Sequence, residues 1–353
     1  SQSGSVGNYI TAPEAVYLLQ KDAPEVMKFT SNIEIANTGN PEISNIIEGE
    51  YVDVPNVDLL PSKGSLKRNV DPAEIPFVYG EAYTKNEFFP KKLVEISKPF
   101  ILRNKRGLTV ITYPFQYNPV TKVLRVYNNL SFEITCNSKK KSVNEIATTA
   151  RLSAPDVFNS IYPSVFINAK NSTPNSPQYN VLGESGRMLV ISASTLLGAI
   201  QPLVDWKIQK GIAVDVTDIA SIGNTEAAIF AYIQNYYAAH PDLTFLLLVG
   251  DHQQIKSGNM GQTSTPETKW SDTRYAFLSG ADYFPEILVG RFSANNVTEA
   301  STMVNRNLEY EKNPLSGAWI TTSLGLASSQ GAGQGDNGEA DWQHMRYMRD
   351  TLL

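Results

Sequence analysis

A β-rich sandwich or barrel followed by an α/β domain built on a mainly parallel sheet is what this 353-residue sequence predicts, and three observations carry it. Residues 1–167 hold short alternating runs separated by turn signals, clearest in Leu108–Tyr113 and Val123–Tyr127 with Tyr117-Asn118-Pro119 between them. From Asn168 to Gln178 the chain has no hydrophobic period and is dense in Asn, Ser and Pro, which predicts a linker over 168–186. Beyond it, over 187–353, the pattern changes to strand, helix, strand, helix, strand.

Each element of the second half has its own reason. Met188–Ser192 is an apolar run of strand length, and the helix after it stops at Gly211. Ala213–Val216 is a strand and Thr225–Ala239 a helix. Phe245–Val249 is continuously apolar, as a strand buried on both faces must be, and implies parallel pairing through right-handed crossovers. Two further strands are predicted at Ile287–Arg291 and Leu324–Ser328. Between them runs a helix from Val297 to Tyr310, for which Asn296 and Glu299 form a capping box. A last helix begins near Glu339.

Composition excludes several classes. Hydrophobic residues make up 42% and charged residues 18%, with no apolar run long enough for a membrane span. A net charge of −5 disfavours a nucleic-acid binder held by phosphate contacts. One cysteine, Cys136, forms no internal disulfide, and with His240, His252 and His344 it matches no zinc-ligand spacing. Cys136 ends an alternating run with no histidine near it in sequence, which argues against a nucleophile. The chain starts at Ser1 without Met and stops inside a helical pattern, so it reads as a piece of something longer.

In open α/β sheets ligands sit beyond the carboxyl ends of the strands, which directs attention to Asp251-His252 after one strand and to 330–341 after another. The second loop contains Gly333-x-Gly335-x-x-Gly338, formally a dinucleotide fingerprint, yet Asp336, Glu339 and Asp341 would oppose a pyrophosphate. Three acids in a glycine-rich loop suit Ca²⁺, a guanidinium or simple helix capping. Ser279–Glu286, with Asp282 and Glu286 as carboxylates in a glycine-containing loop, offers calcium chemistry or an ordinary turn before a strand. No convincing catalytic set emerges from these residues.

Ile75–Gly80, Phe88-Phe89-Pro90, Pro99–Arg103, Arg106-Gly107 and Gln116–Tyr127 resemble the N-terminal prodomain of the gingipains, secreted cysteine endopeptidases. Gly186–Met188, Val204–Trp206, Leu248–His252, Gly290–Phe292, Tyr310-Glu311 and Asp336–Glu339 extend the resemblance through the second half, nearest to the Arg-specific members. It covers nearly the whole chain from about Ala23 onward.

The resemblance implies a caspase-like α/β catalytic domain preceded by an inhibitory prodomain, extracellular, acting on protein or peptide substrates with Arg at P1. The catalytic His and Cys are expected beyond the chain end. Asp341 matches the acid of the S1 pocket that pairs with the substrate Arg, and Arg68 the basic prodomain residue that blocks this pocket. Asp251, Glu339 and His344 match one calcium site; Ser279 and Phe284 through carbonyls, with Asp282 and Glu286 through carboxylates, match another. Gln330 stands where the family places the carboxylate that orients the catalytic His, and an amide cannot supply that charge. In the linker Lys170 is the only basic residue where Arg-specific members carry a processing Arg. The alternatives are a calcium-stabilised surface or interaction protein that kept the fold without catalysis, and a dinucleotide-binding oxidoreductase, which the acidic loop opposes.

Overall fold

The computed structural model describes residues 7–67, 70–146, 155–169, 185–262, 268–332 and 338–352. In the first half the strands are β1 (Val16–Tyr17), β2 (Met27–Glu34), β3 (Asn40–Glu48), β4 (Tyr51–Val54), β5 (Val94–Ile96), β6 (Phe100–Leu102), β7 (Lys105–Thr112), β8 (Phe115–Asn118), β9 (Val123–Tyr127) and β10 (Leu130–Asn137), followed by helix α1 (Asp156–Val165). All their pairings are antiparallel. They form one sheet ordered β1-β2-β7-β5 with β6 also on β7, a second ordered β4-β9-β8, and the ladder β10-β3.

Alternation explains how these sheets meet. Val94, Leu108 and Val110 from the first sheet face Ile43, Phe132 and Ile134 from the β3-β10 ladder, giving the sandwich-like core that alternating sequence predicts. A second core forms around Val26, Leu59, Tyr117 and Leu124. The Tyr117 hydroxyl donates to Val57 O at 2.9 Å, so the buried ring keeps its polar tip satisfied. Helix α1 was not foreseen in this β-rich half. It packs Phe158, Tyr162 and Phe166 against Phe100 and Leu102.

The second half comprises β11 (Arg187–Ser192), α2 (Leu197–Gln209), β12 (Ala213–Asp218), α3 (Ile219–Ile222), α4 (Glu226–Ala239), β13 (Leu243–Val249), the ribbon β14 (Asn259–Gln262) and β15 (Thr268–Trp270), β16 (Leu288–Phe292), α5 (Val297–Lys312) and α6 (Asp341–Leu352). The central sheet is parallel and ordered β12-β11-β13-β16. Both of its faces are apolar. Leu189, Ile191, Leu246 and Leu248 pack on Ile229, Ile233 and Tyr237 of α4, while Val190 and Val249 pack on Leu203 and Val204 of α2 and on Ala300 and Val304 of α5. The chain steps outward from β11 to β12, then back across to β13, so strand order reverses between β11 and β13. That reversal opens a crevice at their carboxyl ends.

Helix starts follow the sequence. The Thr225 side chain accepts from Ala228 N at 3.2 Å to begin α4, and Asn296 Oδ1 accepts from Glu299 N at 3.0 Å to begin α5. Glu299 answers by accepting from Asn295 N and Asn296 Nδ2. One expectation fails: Leu324–Ser328 is not a strand. Leu324 and Leu326 are 84% and 79% exposed, and the segment lies alongside α6, around a groove lined by Leu324, Gly325, Trp342, Met345 and Arg346. Its alternation is real, but no strand of the sheet pairs with it among the described residues.

Ile191 is fully buried between the sheet and α4. Ile191→Ala should cost about 2–5 kcal/mol, the sum of lost transfer energy and the cavity left behind. Denaturant unfolding followed by circular dichroism measures it.

Candidate functional site

The carboxyl end of the sheet is organised by one arginine. Arg291, in the edge strand β16, reaches across with Nη1 to the carbonyl oxygens of Gly250 at 2.7 Å, Ile255 at 3.1 Å and Asp251 at 3.3 Å. Its Nε and Nη2 grip both oxygens of Asp272 at 2.7 and 2.8 Å. A planar guanidinium does this because its five N–H groups lie in a fixed fork. The loop after β13 is thereby held against β16. Gly250 turns the chain at φ +141°, a conformation that L side chains rarely adopt.

Burial pushes the Asp272 carboxyl up, but the hydrogen bonds and charge of Arg291 outweigh it and hold the group below the usual carboxylate range. Beyond this pair, Asp251 Oδ1 accepts from Gln253 N at 2.8 Å and Gln254 N at 3.2 Å, closing its own turn. The His252 ring lies against Trp270 with centroids 4.9 Å apart, and its Nδ1 accepts from Ser257 N at 3.3 Å.

A second cluster gathers at the start of α6. Ser328 Oγ donates to Asp341 Oδ2 at 2.9 Å and accepts from Gln330 N at 3.1 Å. Asp341 N donates to Gln330 O at 3.0 Å. Asp341, partly buried as the first residue of α6, and Gln330 are thus brought together, with the carboxylate at the positive end of the helix. Glu339 is buried, and its Oε1 lies 2.8 Å from His344 Nδ1. Asp251 does not join them: among the described residues no three of His, Cys, Asp and Glu are close enough together to hold a metal ion. Gly333, Gly335 and Asp336 of the glycine-rich loop lie outside the described residues, as does Arg68.

The loop Ser279–Glu286 is folded around its own carboxylates. Glu286, fully buried, accepts through Oε2 from Leu278 N at 2.7 Å and Ser279 N at 2.9 Å. Asp282 Oδ1 accepts from Phe284 N at 3.0 Å, and Oδ2 accepts from Ile101 N at 2.9 Å and Asn144 Nδ2 at 3.0 Å. The last two donors belong to the β-rich half. Burial drives the Asp282 carboxyl above the usual range, partly offset by the amides of Phe284 and Ile101.

A doubly wound sheet with its crevice at the β11/β13 reversal, clasped by an antiparallel module on its amino-end loops, defines a two-part α/β protein with a built-in partner. The family model for the C25 propeptide matches residues 1–171, and that for peptidase family C25 matches residues 182–352. The chain belongs to peptidase family C25. It is 35% identical over 350 residues to gingipain R1 of Porphyromonas gingivalis, covering 97% of this chain and 34% of that protein. To gingipain R2 of the same organism it is 34% identical, covering 99% and 46%. The chain therefore spans between a third and a half of the length of these relatives. The solved complex of RgpB pro- and mature domains from P. gingivalis aligns over 44% of this chain and 77% of that chain, with 33% identity and a TM-score of 0.39.

Sequence reasoning did not single out Asp272, nor assign Arg291 and Arg103 any role. Gly290-Arg291-Phe292 stood out only as part of the resemblance, and its signal was a charged residue inside an otherwise apolar strand.

Because Asp272 is held below its ordinary pKa, its carboxylate contributes stability that is present above the unfolded value, about 3.9, and lost as pH falls through the folded value. Asp272→Asn should lower stability at pH 7 by about 2 kcal/mol. The gap between variant and parent melting temperatures should narrow on acidification below about pH 4. A gap independent of pH would contradict the ion pair.

Proposed function

We propose that this chain is the pro-form portion of a secreted cysteine endopeptidase that cleaves after Arg, with residues 1–167 acting as its intramolecular inhibitor. The observation that carries this reading is the succession of a C25 propeptide match and a C25 peptidase match in one chain that is 35% identical to gingipain R1. No helix among the described residues is long and apolar enough to cross a membrane.

In the complete enzyme a thiolate would attack the scissile carbonyl and a histidine would carry the proton to the leaving amine. Asp341 is the residue that reads the substrate. Its carboxylate is oriented by Ser328 and sits at a helix start, and a guanidinium pairs with such a group through parallel charge-assisted hydrogen bonds. Neutral P1 side chains would leave that carboxylate unpaired and are rejected on that account. Gln330, hydrogen-bonded to the backbone of Asp341, would accept the N–H of the catalytic histidine without charging it. Arg68 would occupy the pocket in the latent form as a substrate mimic.

The loop Ser279–Glu286 would hold calcium. Asp282 and Glu286 offer carboxylate oxygens, Ser279 and Phe284 offer carbonyls, and this hard all-oxygen donor set is what Ca²⁺ takes. The set Asp251, Glu339 and His344 does not fit as arranged, since only Glu339 and His344 come together and one donor is a nitrogen. We carry the calcium proposal forward on the first loop, where the ion would neutralise two carboxylates.

Asp341→Asn in the complete enzyme should reduce kcat/KM on Arg substrates by about two orders of magnitude or more, the loss expected when one partner of a buried charge pair is removed. Wild-type rates would remove Asp341 from the pocket. Replacing EGTA with millimolar calcium should raise the melting temperature of the full zymogen, because a ligand that binds only the folded state stabilises it by mass action. Asp282→Asn should abolish most of that rise, and identical melting with and without calcium would end the assignment.

A further inference from the structure

Arg103 is a long charged side chain only 4% exposed, although it stands at the tip of a hairpin, where such residues are normally solvated. Leu102 of β6 pairs with Lys105 of β7, so Arg103 and Asn104 form the turn, and Arg103 takes φ +58°, a left-handed conformation for which glycine or asparagine is the cheaper choice. Such a residue persists where its surroundings over-determine it. Here the surroundings belong to the peptidase half. Nη1 donates to Leu243 O at 2.5 Å and Glu286 O at 2.8 Å, and Nη2 donates to Pro241 O at 2.6 Å. The guanidinium also lies 5.5 Å from the ring of Phe158 in α1 and 5.3 Å from that of Tyr237 in α4.

Leu243 is the first residue of β13, and Pro241 and Glu286 lie just before β13 and β16, where backbone carbonyls entering the sheet need a donor. Around them the two halves join by other means. Ile101 N and Asn144 Nδ2 donate to Asp282 Oδ2, and Phe100 stacks on Phe284. The carboxyl end of β13, where α/β sheets carry their ligand sites, lies about 20 Å away, six steps of roughly 3.3 Å from Leu243 to Val249.

We propose that Arg103 anchors the propeptide to the peptidase at the amino end of the central sheet, and that this anchor, separate from the residue that blocks the substrate pocket, sets how long the propeptide stays bound once the linker is cut. The proposal rests on the reading of residues 1–167 as an inhibitory propeptide. It divides latency between two contacts with different tasks. Arg68 would plug the pocket; Arg103 with Phe100 and Ile101 holds the module in place. In the unbroken chain the linker keeps the effective concentration of the propeptide high and masks any loss of anchoring, so the anchor's effect is read only after cleavage.

The test uses the full zymogen with a recognition sequence for a site-specific protease inserted after Gln178. After nicking, release of the propeptide is followed by size-exclusion chromatography and native mass spectrometry, and peptidase activity is followed separately. Arg103→Gly suits the left-handed backbone and removes the donors; it should release the propeptide at least about tenfold faster than the parent, as loss of a buried interface arginine does. Arg103→Lys should lie between them, because one ammonium cannot serve three carbonyls in the same planar fork. Arg68→Ala should leave release near the parental rate while activity appears. Release of Arg103→Gly at the parental rate would overturn the proposal. If hydrogen exchange finds β7 loosened in the unnicked Arg103→Gly chain, Phe284→Ala decides from the peptidase side, and parental release there overturns it too. Faster release without any gain in activity would sustain the anchor and sink the inhibitory reading instead.

Discussion

The five residues Phe245–Val249 are apolar on both faces of their strand, and the arrangement of the peptidase half follows from that constraint. A strand apolar on both sides must lie inside a parallel sheet with helices over each face, which places α4 on one side and α2 with α5 on the other. It must also end somewhere, and at both ends the backbone has carbonyls to satisfy without neighbouring strands. Arginine meets this need repeatedly. Arg291 collects three carbonyls at the carboxyl end, and Arg103 collects three at the amino end.

The contrast between those arginines is informative. Arg291 comes from the sheet itself and is neutralised by Asp272, so the site end is built without help from the other half. Arg103 is contributed by the propeptide. The amino end of β13 and β16 is thus completed by a segment outside the sheet, which makes the β-rich module part of the folded core rather than an appendage. The cluster of Phe100, Phe158 and Phe166 with Phe284 and Leu288 has the same character, since its members come from both halves.

Much of this was legible beforehand. The strands β11, β12, β13 and β16 and the helices α2, α4 and α5 follow from periodicity and caps, because in each the local pattern and the tertiary demand agree. The segment Leu324–Ser328 misled because alternation signals a half-buried strand only where a partner strand exists, and pairing is not written in local sequence. Helix α1 was hidden by Pro163 inside it and by a β-rich context. At the site, Asp341 N donates to Gln330 O, whereas Asp251 caps its own turn. Arg103 was illegible for a different reason. A hairpin-tip arginine is ordinarily a solvated one, and only its distances to Pro241, Leu243 and Glu286, some 140 to 180 residues later, reveal a buried role.

The proposed pocket contact of Arg68 and the contact of Arg103 would suit different tasks. A guanidinium bound by a carboxylate in a pocket can be displaced by any substrate carrying the same group, because the competitor reproduces the contact in full. A guanidinium bound by three backbone carbonyls beside two aromatic rings offers a substrate guanidinium no carboxylate to claim. Contacts of the first kind make inhibition reversible by substrate; contacts of the second kind make association durable without contributing to specificity. Backbone carbonyls also cannot be titrated, so the anchor at Arg103 is insensitive to acid through its acceptors.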